Sequence, residues 1–117
     1  MRNDKENLIV NLTLEFALEI IDYCESLEEF KKYVIARQLL KSGTSIGANV
    51  NEAQNAESKA DFIHKIKIAA KEADETKYWL KLCQLSKHYP APGELETKIN
   101  SIINVISKII STSKNNS

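Results

Sequence analysis

Residues 62–83 read FIHKIKIAAKEADETKYWLKLC, and the spacing of the apolar and small side chains in this stretch decides the fold class. These side chains recur at alternating steps of four and three, at Phe62, Ile66, Ala69, Ala73, Thr76, Leu80 and Cys83. Such steps place all of them on one face of an α-helix, and a heptad repeat of this kind packs helices side by side at a shallow angle. The stretch therefore predicts a long helix in a helical bundle, with the alanines at a close crossing.

The ends of this helix carry their own signals. Ser58 is typical of an N-cap, and Asp61 lies in the first turn, where the positive end of the helix dipole favours an acid. Residues 88–93, HYPAPG, form the clearest break in the chain, because proline lacks a backbone donor and restricts the residue before it. The break separates this helix from the next one.

Three further segments repeat the three-and-four spacing and predict three more helices. Their apolar rows are Ile9, Leu12, Phe16, Ile20, Tyr23, Leu27 and Phe30 in the first, Ile35, Leu39, Ile46, Val50 and Ala53 in the second, and Leu95, Ile99, Ile102, Ile106 and Ile109 in the last. A capping-box pattern at residues 26–29, SLEE, places the turn between the first two helices near residues 25–28.

The expected helices span about residues 6–26, 28–55, 59–87 and 92–111, followed by a loose tail at 113–117. Four long helices with short connections predict an all-α, up-down-up-down four-helix bundle. Residues 1–117 leave room for one such domain and one core.

The first and last predicted helices carry a second apolar row, which makes their apolar surfaces wider than one bundle core covers. These second rows are Leu14, Leu18 and Ile21 in the first helix, and Ile103, Val105 and Ile110 in the last. Uncovered apolar surface of that width is typical of an interface, so we expect the protein to associate with itself.

Gly43 and Gly47 lie four residues apart on one face of the second predicted helix. Each glycine in a helix interior costs about 1 kcal/mol relative to alanine. We interpret the pair as a site where another helix backbone approaches closely over the missing side chains, with a ligand or a kink as the alternatives.

Composition indicates a globular protein, with 43% hydrophobic and 27% charged residues among 117. Three glycines and two prolines leave few turns, which favours long helices. No apolar run approaches the roughly 18–20 residues of a membrane-spanning helix, and the polar start MRNDKEN is unlike a signal peptide. We therefore expect a cytoplasmic protein without a membrane partner.

The sequence predicts no catalytic, cofactor-binding or metal-binding residues. Cys24 and Cys83 fall on the apolar faces of different helices and are interpreted as reduced core thiols. Asp61 and His64 are a single carboxylate and imidazole pair, too few ligands for a metal, so His64 is interpreted as a surface residue. Neither a glycine-rich phosphate loop nor a nucleophile with its base is recognisable by spacing, which makes an enzyme the weakest of the function classes.

A row of polar side chains lies next to the apolar row of the second predicted helix. Its members are Gln38, Ser42, Ser45, Asn49 and Glu52. Steps of four and three put them on one half-buried face. Because buried polar groups need partners, the row predicts a satisfied network that joins helices or subunits, and a ligand or partner groove is the alternative.

Charge is uneven along the chain, although 16 basic and 16 acidic residues cancel. Residues 1–30 hold two basic and eight acidic side chains, net −6, whereas residues 31–90 hold eleven basic and six acidic, net +5. This asymmetry predicts charge-complementary packing within or between chains, or a basic face that binds a polyanion, and solvated faces are the alternative explanation of the lysine-rich stretches. The candidate nucleic-acid-binding residues are Arg37, Lys41, Lys67 and Lys71.

Three stretches carry a family resemblance that extends over nearly the whole chain. They are QLLKSGTSIGANVNEA at residues 38–53, SKADF at 58–62 and IAAKEADETKYWL at 68–80. In these stretches the chain resembles the four-helix bundle family named after proteins encoded in 23S rRNA intervening sequences.

The resemblance implies a small bacterial four-helix bundle that assembles as a homopentamer, without known enzymatic activity and without a settled molecular function. Some relatives are accessory proteins of diversity-generating retroelements, which form basic pentameric barrels that bind nucleic acid and a reverse transcriptase. The leading hypothesis is therefore a non-enzymatic, homo-oligomeric binding module with RNA or DNA on a lysine-rich face. The alternative is a structural adaptor that binds another protein.

Overall fold

A computed structural model describes residues 4–115 of the chain, and it describes the side chains of residues 8–114. All regular structure within this range is helical, which confirms the all-α class. The helices are α1 (Asp4–Glu29), α2 (Tyr33–Ala53), α3 (Lys59–Leu85) and α4 (Leu95–Asn115). None of these helices combines the length and the apolar character that crossing a membrane requires.

Each helix packs against the next one in the chain, and α4 packs back against α1, so that the four helices surround one core. Within residues 4–115 the backbones of the diagonal pairs, α1 with α3 and α2 with α4, stay apart, and α1 and α3 meet through core side chains such as Tyr23 and Cys83. The 27 residues of α3 span about 40 Å at the rise of an α-helix, against a longest molecular dimension of 48 Å. Consecutive helices of this length, joined by short connections, run antiparallel, as in an up-down-up-down bundle.

The apolar rows predicted from the sequence form the core. Fully or nearly fully buried members include Ile9, Phe16, Ile20, Leu27, Leu39, Ile46, Val50, Ile66, Ala69, Ala73, Leu80, Ile99, Ile102 and Ile106. The row of α1 departs from the prediction at its end, because Phe30 follows the last helical residue and is 56% exposed.

The two glycines of α2 both face α1, which agrees with the interpretation of the pair as a helix crossing. A Cβ atom built on Gly43 would lie 2.9 Å from Ile20 Cγ2, closer than atoms of folded proteins pack. A Cβ on Gly47 would meet Thr13 at 3.4 Å, which is ordinary van der Waals contact. A Cβ therefore fits less well at Gly43 than at Gly47 between α1 and α2.

The turn between α1 and α2 lies at residues 30–32, and the predicted turn near residues 25–28 is wrong. The backbone remains helical through Ser26 and Glu29, so the SLEE pattern does not cap a helix. The helix continues because Leu27 is still fully buried in the core. It ends at Glu29, and in the turn that follows Lys31 has a left-handed φ of 63° and the Lys32 amide bonds back to the Leu27 carbonyl at 2.8 Å.

The start of α3 is the one that the sequence predicts. Ser58 has an extended backbone, and its hydroxyl accepts a hydrogen bond of 3.0 Å from the amide of Asp61. The Asp61 carboxylate in turn accepts a bond of 3.2 Å from the amide of Glu57. The backbone amide and the carboxylate of Asp61 thus both take part in capping the first turn of α3.

Helix α4 is displaced from its predicted bounds at both ends. It begins at Leu95 rather than at residue 92, because Gly93 adopts a left-handed φ of 61° just before it. At the other end it continues through Asn115, so residues 113–115, predicted as part of a loose tail, are helical. Residues 116–117 lie outside the described range.

Candidate binding surfaces

The four candidate nucleic-acid-binding residues are exposed and form two pairs. Arg37 and Lys41 lie one turn apart on α2, and Lys67 and Lys71 lie one turn apart on α3. In the part of the chain that the structure describes, none of the four takes part in an ion pair. All four cations are therefore free to meet an anion from outside.

The register between α2 and α3 separates the two pairs along the bundle. Ser42 contacts Thr76, and Glu52 contacts Lys65, so the residue numbers of facing positions add up to about 118. Lys41 therefore lies level with position 77 of α3, six residues or about 9 Å from the level of Lys71. The structure brings each pair together and does not merge the two pairs into one cluster.

Arg37 has acidic neighbours that the sequence pattern did not place beside it. It lines a shallow cleft of about 80 Å³ between α1 and α2, together with the carboxylates of Glu25 and Glu28. The apolar wall of the same cleft comes from Ile21 and Leu40. Arg37 thus has two acidic residues beside it in this cleft, whereas Lys41 does not line the cleft.

The polar row of α2 forms a network, mostly with its own helix and with α3. Ser42 is fully buried, and its hydroxyl accepts a hydrogen bond of 2.9 Å from Thr76 of α3. Ser45 and Asn49 are half-buried and donate to backbone carbonyls of their own helix, at 2.6 Å and 2.9 Å. Gln38 is exposed at the end of the row.

The row ends on an exposed ion pair. Glu52 lies 3.2 Å from Lys65 of α3, so this pair also joins α2 to α3. Ser42 and Glu52 join α2 to α3, whereas Ser45 and Asn49 in the middle of the row bond only within α2.

An apolar strip runs along the outside of α1 and continues onto α2. We define it as Leu14, Leu18, Ile21 and Leu40, which are 58%, 57%, 39% and 38% exposed. The equivalent second row of α4 behaves differently, since Ile103, Val105 and Ile110 are only partly exposed and pack against the core. The uncovered apolar surface predicted for α1 and α4 is therefore concentrated on α1.

Sequence reasoning missed a cluster of buried ionisable groups near one end of the bundle. The hydroxyl of Tyr23 donates a hydrogen bond of 2.6 Å to the carbonyl of Pro90, and this bond ties α1 to the loop between α3 and α4. Burial raises the pKa of the Cys24 thiol to about 12, and burial also raises the pKa values of Tyr23 and Cys83. The apolar positions of these residues were visible in the sequence, but their meeting across helices was not.

Both thiols are buried and free, in agreement with their interpretation as reduced core thiols. His64 is exposed. Over the described residues there is no group of three or more histidine, cysteine, aspartate or glutamate side chains placed to hold a metal ion.

A second exposed apolar surface lies at the end of the bundle that carries the turn between α1 and α2. Its large side chains are Phe30, Tyr33 and Val34, with Leu85 at the end of α3. The Lys32 ammonium lies 5.1 Å from the centre of the Tyr89 ring, a cation–π contact that the sequence did not reveal.

Comparison with known proteins identifies the family and finds closely similar solved structures. The model of the family described as 23S rRNA-intervening sequence protein matches residues 5–112. A crystal structure of a protein with unknown function, from the S23 ribosomal protein family of Bacteroides thetaiotaomicron VPI-5482, superposes with a TM-score of 0.86 at 39% sequence identity. The match covers 92% of this chain and 98% of that one. Among curated proteins no significant match is found.

Proposed function

This chain belongs to the family of 23S rRNA-intervening sequence proteins, and from that premise we propose that it is a non-enzymatic module that assembles with copies of itself, as a homopentamer in the cytoplasm. The observation that supports self-assembly is the apolar strip. Three large aliphatic side chains of α1 and one of α2 face solvent side by side, although monomeric proteins rarely leave such a patch uncovered. The stoichiometry of five comes from the family resemblance.

Sedimentation equilibrium tests self-assembly directly. The wild-type protein is expected to sediment at a multiple of its 13.2 kDa chain mass at micromolar concentrations. Leu18→Glu puts a charge in the middle of the strip without touching the core and is expected to give monomers that keep their helical circular dichroism. Val34→Glu is the matched control, because Val34 is 66% exposed but lies outside the strip. A wild-type protein that is monomeric throughout this range rules out the assembly.

The absence of enzymatic activity is part of the same proposal. The groups whose pKa values are raised most, Tyr23 and Cys24, are buried and keep their protons at neutral pH. A protonated thiol or phenol is a poor nucleophile and a poor base. These groups support the core rather than a reaction.

We further propose that the assembly binds RNA or DNA through Arg37, Lys41, Lys67 and Lys71. Support comes from the exposure of these four cations and from the absence of ion pairs at them in the described part of the chain. A symmetric assembly repeats the two basic pairs in every copy, which raises avidity without new contacts. Lys41 and Lys71 carry this proposal best, since Arg37 shares its cleft with two carboxylates.

Filter binding at several salt concentrations tests nucleic-acid binding. Affinity is expected to fall linearly with salt on logarithmic axes and to show little base preference, because phosphate contacts release counterions and carry no sequence information. Lys41→Glu with Lys71→Glu is expected to weaken binding to all sequences alike. Lys87→Glu with Lys108→Glu is the control of equal charge. No binding at about 50 mM salt and tens of micromolar protein refutes the proposal.

The alternative function, an adaptor for another protein, is favoured by the apolar end surface of Phe30, Tyr33, Val34 and Leu85. Aromatic and aliphatic side chains of this kind are typical of protein interface cores. Retention of a protein partner by the wild type after nuclease treatment, and its loss in Phe30→Glu, supports the adaptor. If the wild type and Phe30→Glu both retain the partner, this surface is not the binding site.

A further inference from the structure

A cleft of about 200 Å³ lies at the end of the bundle that carries the turn between α1 and α2. Its lining consists of two lysines, two tyrosines and two aliphatic side chains: Lys31, Lys32, Tyr33, Tyr89, Val34 and Ile35. Residues 31–35 belong to the turn and to the first turn of α2, whereas Tyr89 belongs to the loop between α3 and α4. Aromatic rings and cations thus line one opening.

The two tyrosine rings of the cleft have different surroundings. The Lys32 ammonium lies 5.1 Å from the centre of the Tyr89 ring and covers one face of it. The loop that carries Tyr89 is held by the hydrogen bond from Tyr23 to the Pro90 carbonyl. Tyr33 is 50% exposed, and no aromatic ring of the described residues packs against it. Tyr33 therefore offers an uncovered ring beside a fixed wall of the cleft.

The charge around the cleft is positive. Residues 30–37 and 85–92, which contribute all the lining side chains, contain no acidic residue. Among the described side chains neither Lys31 nor Lys32 takes part in an ion pair. Two acids precede the turn, but Glu28 lines the separate cleft of Arg37, and Glu29 is exposed on α1. Lysines neutralise phosphates and are depleted in protein–protein interfaces, so this charge favours a polyanion over another protein.

The size of the cleft suits one base of a longer strand. Pockets that enclose a whole drug-sized ligand have about 300–1,000 Å³, whereas this cleft is smaller and open to solvent. Every base has a π-face that stacks on an aromatic side chain. A base within a duplex is already stacked and paired, so an unpaired base enters such a cleft at less cost.

A row of exposed side chains leads from the cleft along α2. Tyr33, Arg37 and Lys41 follow one another at steps of four residues, which places them on one outer face at intervals of about 6 Å. A strand whose base lies on Tyr33 therefore passes Arg37 and then Lys41 as it continues along this face.

We propose that this cleft binds an unpaired base of single-stranded RNA or DNA, which stacks on the Tyr33 ring while Lys31 neutralises an adjoining phosphate. The proposal rests on the nucleic-acid binding proposed above. It adds a site for the base and a preference for single strands over duplexes. Lys32 stays on the Tyr89 ring and holds the opposite wall.

Filter binding of one oligonucleotide, alone and annealed to its complement, tests the preference for single strands. At about 50 mM salt the wild type is expected to bind the single strand about tenfold more tightly than the duplex, because only the single strand gains a stacked base. Equal or tighter binding of the duplex overturns the proposal.

Substitutions at Tyr33 test the stacking itself. Tyr33→Leu keeps an apolar side chain but has no ring, and it is expected to weaken single-strand binding about tenfold while duplex binding stays unchanged. Tyr33→Phe is the matched control, because it keeps the ring, and is expected to bind within about twofold of the wild type. If Tyr33→Leu binds the single strand as tightly as the wild type does, the base site is overturned, although nucleic-acid binding by the other cations stands.

The salt dependence of Lys31→Glu tests the phosphate contact. The slope of log affinity against log salt is expected to fall by about one for this variant. Lys108→Glu on α4 is the control of equal charge and leaves the slope unchanged. A wild type that binds neither strand overturns this proposal together with the nucleic-acid binding proposed above. Loss of a protein partner, with nucleic-acid binding intact, in Tyr33→Leu overturns it in favour of the adaptor.

Discussion

The hydroxyl of Thr76 on α3 donates a hydrogen bond of 2.9 Å to the hydroxyl of Ser42 on α2, and both side chains are fully buried. This bond is the point where the polar row of α2 enters the core. A buried hydroxyl without a partner costs more than a hydrogen bond contributes. Thr76 also has the Glu72 carbonyl at 2.7 Å, whereas the other contact of Ser42, to the Leu39 carbonyl, is 3.5 Å long, so Ser42 depends on Thr76 more than Thr76 depends on Ser42.

Thr76→Val removes the donor and leaves the Ser42 hydroxyl without its partner across the helices. We expect a loss of about 1–2 kcal/mol in the free energy of unfolding. Adding Ser42→Ala to Thr76→Val is expected to cost less than the sum of the single changes, because the second change removes the orphaned group. Urea denaturation of the four proteins measures the coupling, and strictly additive losses contradict it.

Gly43→Ala is expected to destabilise the protein, whereas Gly47→Ala is expected to stabilise it. The new Cβ on Gly43 lies 2.9 Å from a fully buried isoleucine, Ile20, so the helices have to shift, at a cost of about 1–3 kcal/mol. The new Cβ on Gly47 finds ordinary contact at 3.4 Å and stabilises the helix by up to about 1 kcal/mol. Thermal unfolding of both variants checks the prediction, and equal shifts contradict it.

Ala73→Leu is expected to overpack the seam of α3, where Ala73 is fully buried. Three extra carbons in a closed position cost about 1–3 kcal/mol. Ala60→Leu is the control, because Ala60 is exposed in the first turn of the same helix. The denaturation midpoint is expected to fall in Ala73→Leu and to stay near the wild-type value in Ala60→Leu. An unchanged midpoint in Ala73→Leu would show that Ala73 lies at the surface.

Stability is expected to fall as the pH rises above 9. The Cys24 thiol has an ordinary pKa of 9.0, which burial raises to about 12 in the folded protein. Between these values the unfolded chain has already released the proton that the folded chain still holds, so unfolding becomes progressively more favourable. The stabilising effect is complete below pH 9 and is lost as the pH approaches 12.

The Cys24→Ala variant provides the control for this pH dependence. Its unfolding temperature is expected to decline less steeply above pH 9, with the remaining slope due to Cys83 and Tyr23, whose pKa values burial also raises. The wild-type thiols are also expected to react slowly with a thiol reagent at pH 8 until the protein is unfolded. Equal slopes in both proteins contradict the assignment to Cys24.

The fold could be predicted because its signals are local. The spacing from Ile66 to Cys83, the cap at Ser58 and the glycine at position 43 each act within one helix or at one crossing. The turn at Lys31 was missed, because the SLEE pattern is a good local cap and only the burial of Leu27 keeps the helix going. Tertiary packing overrides a local signal there.

The candidate surfaces could be predicted only as positions along separate helices. Periodicity places Arg37 on an outer face of α2, but the presence of Glu25 beside it depends on how α1 and α2 are rotated against each other. The bond from Tyr23 to Pro90 joins residues 67 positions apart and has no signal in either segment. Charges and apolar rows are visible in a sequence, whereas their neighbours on other helices are not.

The contact of α4 with α1 has a consequence for how the bundle forms and opens. The other three contacts join consecutive helices, whereas this one brings together the two ends of the described chain, with Glu19 and Lys98 paired across it. Closing so long a loop costs more entropy than forming a helical hairpin. This seam also has the fewest contacts and contains a cleft beside Phe16 and Ile102. We therefore expect the contact between α1 and α4 to form last during folding and to open first in local fluctuations, while the other three helix contacts remain formed.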